Sequence, residues 1–188
     1  MSDLLEIKAA LLAAKENTEL PVLCTMTFTE NGRTFTGCPV SAAAITLEGL
    51  GADAVGINCS LGPKEMLPLI REVASLSSLP VIASPNAGLP DVLDGRTVYP
   101  VGPEAFAGAM REIAQAGAHI LGGCCGTTPE YIACLKQALA NVTYTPQKKD
   151  EGPVVCSPST IVRIDGPRII GERINPTVSF FSIIILVG

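Results

Sequence analysis

The amino-acid sequence predicts an α/β fold with a parallel sheet. Short apolar runs, each the length of a buried strand, alternate with helical patterns at a spacing of about 30 residues. Such alternation is typical of parallel strands joined by helical crossovers. The chain has 188 residues, of which 47% are hydrophobic and 16% charged. This composition suits a well-buried core and argues against disorder.

The elements follow one another in a regular order. Residues 3–16 carry apolar side chains at helical spacing and predict an opening helix. Gly51 and Gly117 stand where helix-ending glycines are expected, and Pro63 suits the first turn of a helix. The four strand–helix units are predicted at 21–28 and 41–50, 54–59 and 63–77, 79–85 and 103–116, and 119–123 and 129–139.

Two architectures fit this order, a doubly wound open sheet and part of a (β/α)8 barrel. No glycine-rich nucleotide-binding motif follows any of the predicted strands, so the nucleotide-binding version of the open sheet lacks support. A complete barrel needs eight units over about 250 residues. Four strands would therefore leave two sheet edges to be covered or paired.

A change in composition predicts a domain boundary after the fourth unit. Residues 1–140 form the first domain, and 141–167 read as a linker because 145–153 combine charge, proline and glycine. The stretch 168–176 resembles a new strand. We interpret 168–188 as the truncated start of a second domain that ends in an apolar tail.

Composition also narrows the partners. A net charge of -5, 4% aromatic residues and no tryptophan argue against a nucleic-acid-binding surface. The longest apolar run, 180–187, is too short to cross a membrane. Seven cysteines without a secretory signal favour a reducing compartment, and hence a cytoplasmic location.

Three cysteines end predicted strands. Cys59 closes the second strand, and Cys124 and Cys125 close the fourth, inside a Gly-Gly-Cys-Cys-Gly sequence. The carboxyl ends of parallel strands form the functional face of α/β folds. Strands two apart are separated by roughly 10 Å, whereas zinc–sulfur bonds are about 2.3 Å. For all three thiols to bind one metal, the glycine-rich loop must leave strand geometry and lean over the third strand.

Three thiolates would leave one position of a tetrahedral zinc ion open, as in catalytic sites. A substrate thiol entering that position would be deprotonated and become a nucleophile. The alternative interpretation is that the three cysteines are packing residues at strand ends.

The remaining candidate ligands are interpreted as structural. Cys24 lies inside a strand, Cys134 on an apolar helical face, and Cys38 and Cys156 in loops. His119 begins the fourth strand, at the end opposite the cysteines, and is not expected to bind a metal.

Two segments resemble known motifs. Residues 56–60 (Gly-Ile-Asn-Cys-Ser) and 122–129 (Gly-Gly-Cys-Cys-Gly-Thr-Thr-Pro) are similar to the two zinc motifs of the homocysteine S-methyltransferase family. The resemblance covers about 1–140. It implies the C-terminal half of a (β/α)8 TIM barrel, with zinc held by Cys59, Cys124 and Cys125 and bound to the sulfur of homocysteine. Asn86 also matches the family pattern, as a candidate substrate-binding residue beside the metal.

Residues 171–177 (Gly-Glu-Arg-Ile-Asn-Pro-Thr) look like the opening strand of the folate-binding barrel of cobalamin-dependent methionine synthase, a member of this family. The resemblance implies methyl transfer from methyltetrahydrofolate, through cobalamin, to homocysteine, giving methionine. Glu172 and Asn175 would face the pterin in a complete protein.

Three alternatives remain open. One is a cobalamin-independent homocysteine S-methyltransferase with betaine or S-methylmethionine as donor. Another is an inactive zinc-binding half-barrel. The third is a different barrel enzyme with Cys124 or Cys125 as a covalent nucleophile, for which the sequence offers no suitably placed base.

Both ends depart from the family pattern. Residues 1–3 resemble the point just after the fourth strand of the family barrel, and 178–188 do not continue the pattern. We therefore expect a fragment, with homocysteine as substrate and an N-terminal half-barrel and further domains of the same enzyme as candidate partners.

Overall fold

The computed structural model describes residues 1–143, 152–167, 169–171 and 185–187. Five helices and ten short strands lie within these residues. In chain order they are α1 Leu4–Asn17, β1 Leu23–Met26, α2 Val40–Gly49, β2 Ala54–Asn58, α3 Pro63–Leu76, β3 Val81–Ser84, β4 Asp91–Leu93, β5 Arg96–Val98, α4 Pro103–Gln115, β6 Ile120–Leu121, α5 Pro129–Leu139, β7 Val154–Cys156, β8 Ile161–Arg163, β9 Ile169–Gly171 and β10 Ile185–Val187.

The predicted parallel sheet is confirmed. Its strands lie in the order β1-β2-β3-β6, and each neighbouring pair is parallel. Helices α2, α3 and α4 connect successive strands. Because all four strands run the same way, their carboxyl ends lie along one edge of the sheet, where the chain places its three strand-ending cysteines.

The centre of the sheet is tightly packed around β2. Val55 and Ile57 are almost fully buried on this strand. Gly56 lies between them, and a Cβ at this position would overlap the backbone and the Cβ of Ile82 on β3. Glycine is therefore required here for the two strands to approach each other.

The helices bury one face each against the sheet. On α3, Met66, Ile70 and Val73 are buried, and on α4 the corresponding residues are Phe106, Met110 and Ile113. This spacing of three and four residues is the apolar stripe that the sequence pattern predicts. No helix in the described ranges is both long and apolar enough to cross a membrane.

The fourth strand is shorter than predicted. It includes only Ile120 and Leu121, whereas the apolar pattern extends over 119–123. The amide of Gly122 still bonds to the carbonyl of Ala83 on β3, but the chain leaves regular pairing beyond that point. This early departure begins the loop that carries Cys124 and Cys125.

Two hairpins were not predicted. The first joins β4 and β5 through Asp94 and Gly95, whose φ angles of 50° and 74° define a turn with both central residues left-handed. The second joins β7 and β8 within the predicted linker, where Cys156 Sγ lies 3.2 Å from Thr46 Oγ1 on α2. This part of the linker is therefore a hairpin that contacts the first domain.

The predicted second domain stays a prediction. The strand expected within 168–176 is present as β9, which pairs antiparallel with β10. Glu172 and Asn175, the residues expected to face a pterin, lie outside the described residues, as does most of the apolar tail.

Candidate metal centre

Cys59 occupies a strained turn at the end of β2. Cys59 and Ser60 have φ angles of 61° and 64°, in the left-handed region that residues other than glycine rarely adopt. The amide of Cys59 still donates to the carbonyl of Ser84 at 2.9 Å, which continues the pairing with β3. The reversal of φ thus redirects the Cys59 side chain while its backbone stays attached to the sheet.

The loop with Cys124 and Cys125 is anchored across the end of β3. The Cys124 amide donates to the carbonyl of Pro85 at 2.8 Å. The Cys125 amide donates to Oδ1 of Asn86 at 3.1 Å, and its carbonyl accepts from the Ala87 amide at 2.9 Å. These three bonds hold the loop over β3, the strand that lies between the two cysteine-bearing strands. The loop therefore crosses β3 toward Cys59, as a common metal site requires.

The three sulfur atoms meet at the carboxyl edge of the sheet. Cys59 Sγ lies 3.6 Å from Cys125 Sγ, which lies 4.0 Å from Cys124 Sγ, and all three lie within 4.8 Å of one another. Sulfur atoms bound at about 2.3 Å to a tetrahedral zinc ion would be about 3.8 Å apart. The thiol set therefore fits a soft metal such as zinc. Within the described ranges, no other group of three potential ligands was found.

The thiols perturb one another's protonation. Burial acts to raise the pKa of Cys59, but hydrogen bonds from the Ser60 amide and from the side chains of Cys125, Cys124 and Asn86 outweigh it, so this pKa is lowered. Burial, followed by the hydrogen bond and the charge of Cys59, raises the pKa of Cys124 to about 11. In the metal-free cluster Cys59 therefore loses its proton more readily than Cys124.

Asn86 lies between the two cysteine-bearing segments. The residue is 3% exposed, and its backbone amide donates to the carbonyl of Leu61 at 2.9 Å. The Oδ1 atom of its side chain accepts from the backbone amide of Cys125. The geometry therefore makes Asn86 a positioning group for the cysteines. Its predicted contact with substrate stays a prediction.

The comparisons with known proteins place this site in a family. A family model described as homocysteine S-methyltransferase matches residues 1–139, which include all three cysteines of the cluster. The chain belongs to the homocysteine S-methyltransferase family.

Two curated relatives match nearly the whole chain. Methionine synthase of Mycobacterium tuberculosis (strain ATCC 25618 / H37Rv) is 35% identical over 182 residues, covering 92% of this chain and 15% of the relative. Methionine synthase of Mycobacterium leprae (strain TN) is 35% identical over 187 residues, covering 92% of this chain and 16% of the relative. The chain thus spans about one sixth of the length of these relatives.

Solved structures of the family share the fold. The apo form of the homocysteine methyltransferase MmuM from Escherichia coli superimposes with a TM-score of 0.59 at 23% identity, over 73% of this chain and 47% of that protein. Its metallated form gives a TM-score of 0.58 at 22% identity, over 73% of this chain and 42% of that protein. At this identity the likeness establishes the fold.

Tyr99 was missed by the sequence analysis and lies outside both family motifs. It follows β5, and its hydrogen bond with Cys125, reinforced by burial and the charges of the three cysteines, raises the pKa of its phenol. The Asp94-Gly95 pair is a hairpin signal that could have indicated a reversal of the chain shortly before Tyr99.

The other candidate ligands lie away from the centre. Cys24 and Cys38 are buried, and burial raises the pKa of both thiols. Cys134 and Cys156 are free and partly buried. His119 pairs with Val81 at the opposite end of β3. The Nδ1 atom of His119 accepts from the Val81 backbone amide, and the His119 backbone amide donates to the Val81 carbonyl.

Proposed function

We propose that the chain binds zinc through Cys59, Cys124 and Cys125 and that this centre serves methyl transfer to the thiol of homocysteine, giving methionine. One observation carries the proposal: three sulfur atoms from two separate strand ends lie within 4.8 Å at the carboxyl edge of a parallel sheet. The relatives named methionine synthase and the existence of a metallated form of MmuM support it.

The chemistry follows from the ligand set. Zinc held by three thiolates would act as a Lewis acid and lower the pKa of an incoming thiol, which could then attack a methyl group. Cys59, Cys124 and Cys125 would hold the ion, and Asn86 orients Cys125 by accepting a hydrogen bond from the Cys125 backbone amide.

The methyl donor is proposed for the full-length protein. We propose methyltetrahydrofolate as donor and cobalamin as carrier, on the resemblance of 171–177 to the folate-binding barrel and on 35% identity to methionine synthases. Because the chain spans 15% of the first relative, the parts that bind donor and carrier would lie elsewhere in the polypeptide.

The same reasoning extends to the architecture. We propose that the four parallel strands form the C-terminal half of a (β/α)8 barrel, and that an N-terminal half-barrel closes it. The described residues match 47% of the MmuM chain, which leaves room there for a second half. A reducing compartment such as the cytoplasm would favour keeping these three neighbouring thiols free.

Zinc stoichiometry tests the ligand set. The purified chain is expected to hold about one zinc ion, and Cys59→Ser is expected to reduce this to a small fraction. Cys134→Ser, which changes a partly buried cysteine on α5, serves as the matched control and should leave the zinc content intact. Undiminished zinc in Cys59→Ser would overturn the three-cysteine site.

X-ray absorption at the zinc edge tests the substrate. Adding homocysteine to the zinc-loaded chain should add one sulfur neighbour at about 2.3 Å. Homoserine, which replaces the thiol by a hydroxyl, is the control and should not add sulfur. An unchanged sulfur count with homocysteine would contradict direct binding of the substrate thiol by this chain.

A further inference from the structure

We propose that His119 is a pH-sensitive switch: its neutral ring holds the amino end of β6 to β3, and protonation of the ring releases it. His119 lies directly before β6, the strand that leads to Cys124 and Cys125. The inference goes beyond the proposed function and does not depend on it, because it concerns the amino edge of the sheet and not the metal ligands.

The side chain of His119 takes part in the pairing of β6 with β3. Its Nδ1 atom lies 3.1 Å from the backbone nitrogen of Val81, and the His119 amide donates to the Val81 carbonyl at 2.8 Å. A backbone amide can only donate, so Nδ1 accepts this bond and carries no proton. Both nitrogens of an imidazolium ion carry protons, and the bond is therefore incompatible with a charged ring.

The strand that this bond supports is very short. Only Ile120 and Leu121 pair in register with β3. The Gly122 amide donates to the Ala83 carbonyl at 3.0 Å, after which the chain departs toward the cysteines. His119 thus supplies the bond at one end of β6, and its loss would shorten the paired stretch from which the cysteine loop departs.

The groups beside the ring are apolar. The hollow that His119 lines is completed by side chains from α4, β6, α5 and the segments next to them, namely Ala114, Ala118, Leu121, Leu139 and Val142. None of these side chains titrates. The charged residues in the last turns of the two helices, Glu112 of α4 and Lys136 of α5, do not line this hollow.

The sign of the pH effect follows from the folded state. Partial burial lowers the pKa of His119, and a hydrogen bond with the Gly117 backbone opposes this shift only in part. The folded chain therefore binds this proton less readily than the unfolded chain, in which the pKa is about 6.5. The stability that the neutral ring contributes is complete above this value, and it is lost as the pH falls toward the lower pKa of the folded chain.

Urea denaturation of the full 188-residue chain, with chelator and reductant present so that no metal contributes, tests the switch. His119 is the only histidine of the sequence, so no other histidine titrates between about pH 8 and 5. His119→Asn keeps an acceptor that does not titrate, because its Oδ1 atom is as many bonds from the backbone as Nδ1. On acidification, the unfolding constant of wild type should rise roughly 2- to 10-fold more than that of His119→Asn, the usual effect of losing one hydrogen bond.

His119→Ala, which removes the acceptor, should be less stable than wild type at the upper end of the pH range, and the gap should close at the lower end. Amide hydrogen exchange, corrected for its intrinsic pH dependence, gives a local measurement. Protection of the Val81 amide should fall on acidification in wild type and not in His119→Asn. Parallel losses of stability in these two chains would overturn the inference, as would Val81 protection that does not change in wild type. Either result would leave the proposed metal centre unaffected.

Discussion

At the scale of single residues, the metal centre depends on conformations that are unfavourable in isolation. Left-handed backbone at a residue other than glycine costs of the order of 1–3 kcal/mol, and Cys59 and Ser60 both adopt it. The bonds from the Cys59 amide to Ser84 and from the Leu61 amide to the Cys59 carbonyl hold this turn. The strain is localised where a sulfur must face the neighbouring loop, which is typical of functional sites.

Asn86 provides a residue-scale prediction. Asn86→Ala removes the acceptor for the Cys125 amide and the hydrogen bond to Cys59. We expect zinc affinity to fall by about 10- to 100-fold, as is usual when a group that orients a ligand is lost. Chelator competition measures the effect. Asn17→Ala, which removes an exposed amide bonded to Ala13, is the control, and an equal affinity in both variants would contradict the role of Asn86.

The protonation of the thiols leads to a pH prediction. Cys124, with a pKa of about 11, is protonated at neutral pH in the metal-free chain and must lose its proton to bind a metal. Apparent zinc affinity should therefore rise with pH, by up to about tenfold per unit for each proton released. Chelator competition at several values between about pH 6.5 and 8.5 measures this slope. A pH-independent affinity would mean that no thiol proton is displaced.

At the scale of elements, the sheet and helices follow closely from sequence pattern. The apolar runs and stripes predict every strand of the parallel sheet and all five helices. They do so because an element that buries one face carries apolar residues at regular spacing in the sequence. The β4–β5 hairpin has no such apolar pattern. Residues Asp91–Leu93 are exposed throughout, so only the Asp94-Gly95 turn could have indicated it.

Two glycines give opposite predictions for the same substitution. Gly56→Ala should abolish cooperative folding or lower stability severely, because the added methyl group meets the backbone of Ile82. Gly108→Ala lies on an exposed position of α4 with open space around it, and should stabilise the chain by about 0.5–1 kcal/mol. Urea denaturation followed by circular dichroism compares the two. Similar effects would contradict the tight approach of β2 to β3.

At the scale of the whole molecule, the open sheet leaves edges. Met1 partly covers β1, since its carbonyl accepts from the Thr27 amide and its amino group donates to Thr25. In the described part of the chain, β6 pairs with β3 only. Ile120 on this strand is 40% exposed. An unpaired strand edge with apolar side chains promotes association between chains.

Ile120→Lys tests this edge. A charge on an edge strand opposes pairing with another chain, so the variant should self-associate less than wild type in concentration-dependent sedimentation. Val92→Lys makes the same change on the β4–β5 hairpin, at a position 70% exposed, and should leave association unchanged. Equal reductions in both variants would show that added charge, and not the edge, is responsible.

Sequence alone determined the alternation of strands and helices, the position of Cys59 directly after one strand and of Cys124 and Cys125 soon after another, and the family motifs around them. These are local properties, set by periodicity and by residues adjacent in the chain. Only the tertiary structure decided how the cysteine loop crosses β3 and which groups hold it there. That outcome depends on hydrogen bonds from the loop to 85–87 and on the approach of Tyr99, contacts between residues far apart in sequence that no local pattern records.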